Sequence, residues 1–256
     1  EYNRRLDQAV NQKQVKPGSL KKLRRAYAGK YFVLTCLFCV LFFIIIPAAI
    51  YTLSFIPIQN LDDNRTLVEE VIDSVKSMYE YHKGVNTPHP YSSHWYEWPL
   101  MLRPIYYHAG PLLPEGMGSS IASFGNPMVW WTGFIAFFVM IWLLLAGKIK
   151  KNLGPAESRI GWFPIVGYLS LYLPWVIAPR KLTFIYHYFS CVPFLILMIA
   201  MVMRYLEGIK RVGRRASYIL MSLVLVLFIL YYPVLSGLVV PRWYLNALRI
   251  LPGWAW

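Results

Sequence analysis

Five long apolar stretches constrain this chain more than anything else in it: roughly Tyr31–Phe55, Pro127–Gly147, Ile160–Ala178, Leu182–Tyr205 and Ser217–Val239. Each holds about the ~20 apolar residues that a helix needs to cross the hydrocarbon of a bilayer. The third is the weakest, because Gly161, Pro164, Gly167 and Pro174 interrupt it. Membrane helices tolerate such breakers when neighbouring helices or waters satisfy the freed backbone groups. The composition agrees: 57% hydrophobic and only 15% charged, with 10 Trp and 19 Tyr, lies outside the soluble range. The expected fold is an all-α integral membrane bundle of about five transmembrane helices with an added amphipathic helix.

A net charge of +14 would suggest nucleic acid in a soluble chain, but its distribution excludes that class. Eighteen of the 26 Lys and Arg precede the first run, or lie between the second and third or at the junction of the fourth and fifth. Those segments carry only four acids, Glu1, Asp7, Glu157 and Glu207, while the remaining eight bases are matched by eight acids. The positive-inside rule then places the N-terminus in the cytoplasm and the C-terminus outside.

Cys36, Cys39 and Cys191 all lie inside apolar runs. Cys36 and Cys39 form a C-x-x-C, a metal or redox spacing elsewhere, but within a Leu- and Phe-rich span they read as small packing residues. The chain opens Glu1-Tyr2-Asn3-Arg4-Arg5 and is read as a fragment of a longer protein, with no signal peptide to assign. Residues 1–30 are a basic segment attracted to anionic lipid, and Pro47 is placed to kink the first span.

Between the first two spans lies an aqueous segment, 56–127. Its first part, Asp62–Gly84, has Leu67, Val71, Val75, Met78 and His82 at helical spacing and charges elsewhere, the pattern of a surface helix. Thr66 and Glu69 are spaced for a capping box, and Asn64-Arg65-Thr66 is a glycosylation sequon of low specificity. Residues 85–127 read as an irregular segment longer than ordinary connectors, which are more often functional than idle. Trp130-Trp131 fits an interfacial belt, and Trp243, Trp254 and Trp256 are expected to anchor the tail.

By topology the outer side gathers His82, His89, His94, His108, Glu97, Arg103, Arg180, Lys181 and His187. His187 falls one to two turns into the fourth span, where an ionisable group is either functional or bonded to a neighbouring helix. No H-x-x-x-H or H-E-x-x-H spacing supports a metal, and no G-x-S-x-G supports a Ser hydrolase. Arg and Lys against an anionic lipid head group remain, with aromatics and His lining a sugar or peptide cleft.

The run His89-Pro90-Tyr91-Ser92-Ser93, with Trp95, Trp98-Pro99-Leu100, Arg103-Pro104 and Tyr106-Tyr107, resembles the C-terminal half of protein O-mannosyltransferases. So do Gly125-Asn126-Pro127 with Trp130-Trp131, and Arg180-Lys181, Phe184, His187-Tyr188 and Pro193-Phe194. The likeness covers about residues 28–240 and has the bacterial form, without inserted beta-trefoil domains. Tyr96 departs from it, standing where a second Trp is expected.

The resemblance implies a GT-C membrane fold and transfer of a sugar, typically mannose, from a polyprenyl- or dolichyl-phosphate carrier to Ser or Thr of proteins outside the cytoplasm. The family's acidic base sits in an Asp-Glu pair of an N-terminal loop with no counterpart here. Asp62-Asp63 and Glu69-Glu70 lie in the wrong place, so no catalytic residue, metal or cofactor is assigned. The chain then corresponds to the four-span C-terminal domain plus one helix, inactive alone and completed by a missing N-terminal half. Its expected partners are the polyprenyl-phosphate sugar, the acceptor protein and the bilayer, and its expected location is the bacterial plasma membrane. The layout is a basic segment 1–30, a span 31–55, an external loop 56–127, the four-span remainder 128–240 and an external tail 241–256. Arg103, Arg180 and Lys181 are assigned to the donor phosphate, with His187 and Tyr188 nearby. His89, Tyr91, Ser92, Trp95 and Trp98 shape the acceptor side. The alternative is a non-catalytic membrane subunit that binds lipid or a partner protein. A transporter is disfavoured because no acid lies within a span to couple an ion.

Overall fold

The computed structural model describes residues 17–59, 66–85, 87–110, 112–209 and 212–256. The Asp62-Asp63 pair, the sequon's Asn64 and Arg65, and residues 1–16 lie outside them. The chain divides into two units, Glu1–Tyr81 and His82–Trp256.

In the first unit a helix starts at Pro17 and continues as the apolar span α1, Gly29–Leu53. From Gly29 to Tyr51 every residue is exposed, a surface matched to lipid rather than to a water-excluding core. One π turn, Leu41–Ile45, interrupts it, with the Ile46 N–H donating to Leu41 O. Pro47 explains the turn: it brings no N–H and its ring crowds the carbonyl four residues back, a conflict that a wider turn relieves. Helix α2, Leu67–Gly84, follows. Thr66 N donates to Glu69 Oε2 (2.9 Å) and Glu69 N donates to Thr66 Oγ1 (3.3 Å), closing the capping box. Glu69 and Glu70 in its first turn and His82 and Lys83 in its last complement the helix dipole.

The second unit holds four apolar helices: α3 (Pro127–Leu145), α4 (Pro155–Ile177), α5 (Ile185–Gly208) and α6 (Gly213–Ser236). Helix α5 is central and packs on α3, α4 and α6. Association in lipid gains little from hydrophobicity, so close approach at small residues matters more. Gly167 of α4 lies so near Phe194 of α5 that a Cβ would fall 2.1 Å from its ring. The core contains Ala136, Met140 and Leu143 of α3, Ile165 and Tyr168 of α4, and Tyr188, Leu195 and Met198 of α5. Helix α4 is broken at Leu173-Pro174, where an α segment ending at Tyr172 restarts at Pro174.

The 85–127 segment is more ordered than its sequence suggests. Strand β1, Ile105–Ala109, pairs antiparallel with β3, Ser120–Ser123, and the register slips between Tyr106 and His108 as a bulge. The two-residue strand β2, Met117–Gly118, pairs with β4, Val240–Pro241, from the chain's far end, and β4 leads into α7, Arg242–Ala247. These pairs join the loop, the end of α6 and the tail into one layer on one end of the four-helix bundle.

Candidate functional site

Tryptophan and tyrosine side chains of the bundle and of the tail hold the loop by hydrogen bonds to its carbonyls. Trp130 Nε1 donates to Trp98 O (2.7 Å), Trp131 Nε1 to Leu100 O (3.1 Å) and Trp254 Nε1 to Met101 O (2.8 Å), while Tyr172 OH donates to Trp95 O (2.9 Å). A loop segment with no ladder of its own must satisfy its carbonyls elsewhere, and four aromatic donors do so. The Gly125-Asn126-Pro127 motif supports this frame. Asn126 Oδ1 accepts from Met128 N (3.0 Å) and Val129 N (3.4 Å) as the N-cap of α3, and its Nδ2 donates to Val224 O of α6 (2.9 Å). A Cβ on Gly125 would fall 1.9 Å from Trp130 Cε3, so only glycine lets that indole lie flat beside the turn.

The structure joins the His89–Trp98 loop to the Arg180–His187 connection. Ser93 N donates to Thr183 O (2.8 Å), and Thr183 Oγ1 donates back to Ser93 O (2.7 Å). Trp98 Nε1 donates to Ser93 Oγ (3.0 Å) from below. Ser93 and Thr183 are both buried, so each unmade bond would cost on the order of 1–3 kcal/mol. The pairing leaves no mark in the sequence, since its members are 90 positions apart.

The cations take different postures. Arg103, exposed, lies 3.5 Å (Nε) from Glu97 Oε1 and reaches Ser92 O at 3.4 Å. Glu97 Oε2 accepts from His94 N (2.6 Å), so this carboxylate is held by two donors as a structural brace. Arg180 is half-buried and its Nε donates to Leu182 O (2.9 Å), while Lys181 is exposed. The His187 ring sits among Trp175 (4.1 Å between centroids), Tyr186 (4.3 Å) and Trp98 (5.8 Å). Its Nδ1 lies 2.9 Å from Phe184 O and 3.4 Å from Phe184 N, so the tautomer sets whether this nitrogen donates to the carbonyl or accepts from the amide. The bond is to its own turn, not to a neighbouring helix.

Other assigned residues separate by burial. His89 is exposed, with its ring edge-on to Phe184 (5.1 Å), and Tyr91, Ser92 and Trp95 are half-buried. Trp98 is 1% and Tyr188 0% exposed. Tyr188 bonds Tyr168 through the two hydroxyls (3.0 Å) and packs on Trp130. Both side chains are buried among the described residues. Tyr96 is exposed and stacks on His94 (5.2 Å). No three His, Cys, Asp or Glu side chains among the described residues converge as a metal-binding group.

With this geometry in view, the chain's similarity to known proteins becomes specific. Residues 67–254 match the model of the C-terminal four-transmembrane region of protein O-mannosyltransferase. The chain belongs to the protein O-mannosyltransferase family. It is 26% identical over 193 residues to the polyprenol-phosphate-mannose–protein mannosyltransferase of Corynebacterium glutamicum, covering 70% of this chain and 35% of that protein. It is 25% identical to the protein of the same name in Mycolicibacterium smegmatis, covering 82% and 46%. Against dolichyl-phosphate-mannose–protein mannosyltransferase 1 of Candida albicans it is 25% identical, covering 68% and 20%. The chain thus spans less than half the length of each of these relatives. Among solved structures, it matches a chain of the S. cerevisiae protein O-mannosyltransferase Pmt1-Pmt2 complex bound to the sugar donor, at TM-score 0.63 and 19% identity, covering 75% of this chain and 27% of that one. The family match and the five long apolar helices make the chain an integral membrane protein with a GT-C type fold.

Proposed function

We propose that this chain is the C-terminal membrane portion of a bacterial protein mannosyltransferase, which moves mannose from a polyprenyl phosphate to Ser or Thr of proteins at the outer face. The observation that carries the reading is the Ser93–Thr183 double hydrogen bond. It holds the His89 loop against the Arg180–Lys181 connection on one end of the bundle. In this reading Arg103, Arg180 and Lys181 serve the donor phosphate, and His187 lies beside them. His89, Tyr91, Ser92 and Trp95 border the acceptor, while Trp98 and Tyr188 position them from behind. Transfer breaks the bond from the sugar's anomeric carbon to a phosphate oxygen, so negative charge grows on the lipid phosphate. Fixed cations stabilise that charge more in the transition state than in the ground state. The base that takes the acceptor hydroxyl's proton is not assigned to this chain: Glu97 is committed to Arg103 and His94. It falls to an N-terminal portion, so the isolated chain is expected to be inactive.

The test is glycosyl transfer by the full-length protein carrying Arg103→Ala or Arg180→Ala. Loss of one such contact should cost about 2.7–4 kcal/mol, or roughly 10²–10³ in rate. Because Arg103 also braces Glu97, Arg180→Ala is the cleaner variant. Unchanged turnover and donor affinity in both would contradict the assignment.

A further inference from the structure

The same layer contains a concavity of about 560 Å³, built by residues that the donor assignment does not use. One wall is α7 and the turn after it. Arg242 and Asn246, four positions apart, share a face of α7, Arg249 follows just beyond the helix, and all three line the space. The facing wall carries Tyr106 of β1 and Met117 and Gly118 of β2. Trp256 closes one side, with its Nε1 donating to Leu245 O (3.0 Å).

The walls are held rigidly. Arg242 Nε donates to Met117 O (3.1 Å) and its backbone N to Gly116 O (2.9 Å), so the stem is pinned while the rest of the guanidinium lines the cavity. A Cβ on Gly118 would come within 2.8 Å of Leu245 Cδ1, which leaves the two walls no slack. Among the described residues no Asp or Glu side chain lines the cavity, and neither Arg242 nor Arg249 forms an ion pair. Two planar donor forks without a counter-charge call for an anion, and the fork fits phosphate oxygens in pairs. Leu112 and Leu113 line the same space, Leu112 fully exposed and held at φ 54°, a conformation uncommon for a residue with a side chain. Trp243, exposed on α7 just after the end of α6, is the residue type that settles at a membrane–water boundary.

We infer that this cavity binds the phosphate of a phosphate ester carried on an apolar chain, the arginines holding the head and Leu112 and Leu113 the start of the tail. A polyprenyl phosphate and a bilayer phospholipid share this chemistry. The inference does not rest on the donor assignment, since its residues differ and either can fail alone.

A photoreactive farnesyl phosphate, applied to the full-length protein in detergent and mapped by peptide, tests it. Label is expected in peptides containing residues 106–118 and 242–256. Arg242→Gln and Arg249→Gln should each lower it about tenfold at sub-saturating probe. The Arg180→Gln, Lys181→Gln pair should leave that label in place even if it removes label elsewhere. Competition by unlabelled farnesyl phosphate but not phosphatidylglycerol identifies an isoprenyl ligand, and competition by both identifies a general lipid-phosphate site. Equal labelling by the photoreactive alcohol, or label undiminished in both arginine variants with unchanged melting, would overturn the inference. Inorganic phosphate competing as well as farnesyl phosphate would overturn the role of the apolar chain.

Discussion

At the scale of single residues, two positions carry sharp expectations. Gly125 has the Trp130 indole where a side chain would start, and that indole donates to Trp98 O. Gly125→Ala must push the ring aside and break the bond, so it should destabilise the second unit by about 3 kcal/mol or more. The check is the unfolding midpoint in detergent, where a shift of less than about 1 °C would count against the packing described. Tyr106 offers a pH test. Burial first, then neighbouring Tyr91, raise its phenol above 10.0, while Arg249 opposes them. The unfolded chain therefore ionises first as pH rises, and the stability that Tyr106 contributes is present below about pH 10 and lost above it. Tyr106→Phe should flatten the fall in melting temperature across about pH 9–11 relative to the wild type. Identical slopes would remove the claim that this phenol is held neutral.

At the scale of elements, the decisive join is between the His89 loop and the connection entering α5. Thr183→Val keeps the shape but removes the hydroxyl bonded to Ser93 O, so it should cost about 1–3 kcal/mol and speed amide exchange across residues 89–98. Unaltered exchange would mean the loop is held elsewhere. The spans were legible because lipid demands long apolar helices: Pro127–Gly147 is expected from sequence and Pro127–Leu145 is found, and Leu182–Tyr205 becomes Ile185–Gly208. The capping box at Thr66 was equally readable, since both partners lie within one turn. The layer was not. Its pairings join Met117 to Pro241 and Ser93 to Thr183, and local periodicity carries no trace of partners so far along the chain. Nor does sequence tell an exposed aromatic from a buried one, so its motifs place Trp98 and Tyr188 with the substrate residues although both are buried. Nothing in the sequence singles out Arg242 and Arg249, because their meaning comes from β2 and Tyr106 across the cavity.

At the scale of the whole molecule, the bias of eighteen bases to one set of segments predicts the orientation. With Cys36, Cys39 and Cys191 replaced by Ala, a membrane-impermeant thiol reagent added from outside should label Pro90→Cys and leave Lys150→Cys untouched; the opposite pattern would invert the topology. Because the base is assigned elsewhere, purified chain alone should move no mannose, whereas the full-length protein should. The most direct measurement supplies polyprenyl phosphate carrying labelled mannose, with a Ser/Thr-rich peptide, to membranes containing the full-length protein. Label is expected on peptide hydroxyls, falling by about 10²–10³ in rate with Arg180→Ala at equal expression. No transfer from the lipid carrier to the peptide by a folded, full-length protein would contradict that expectation.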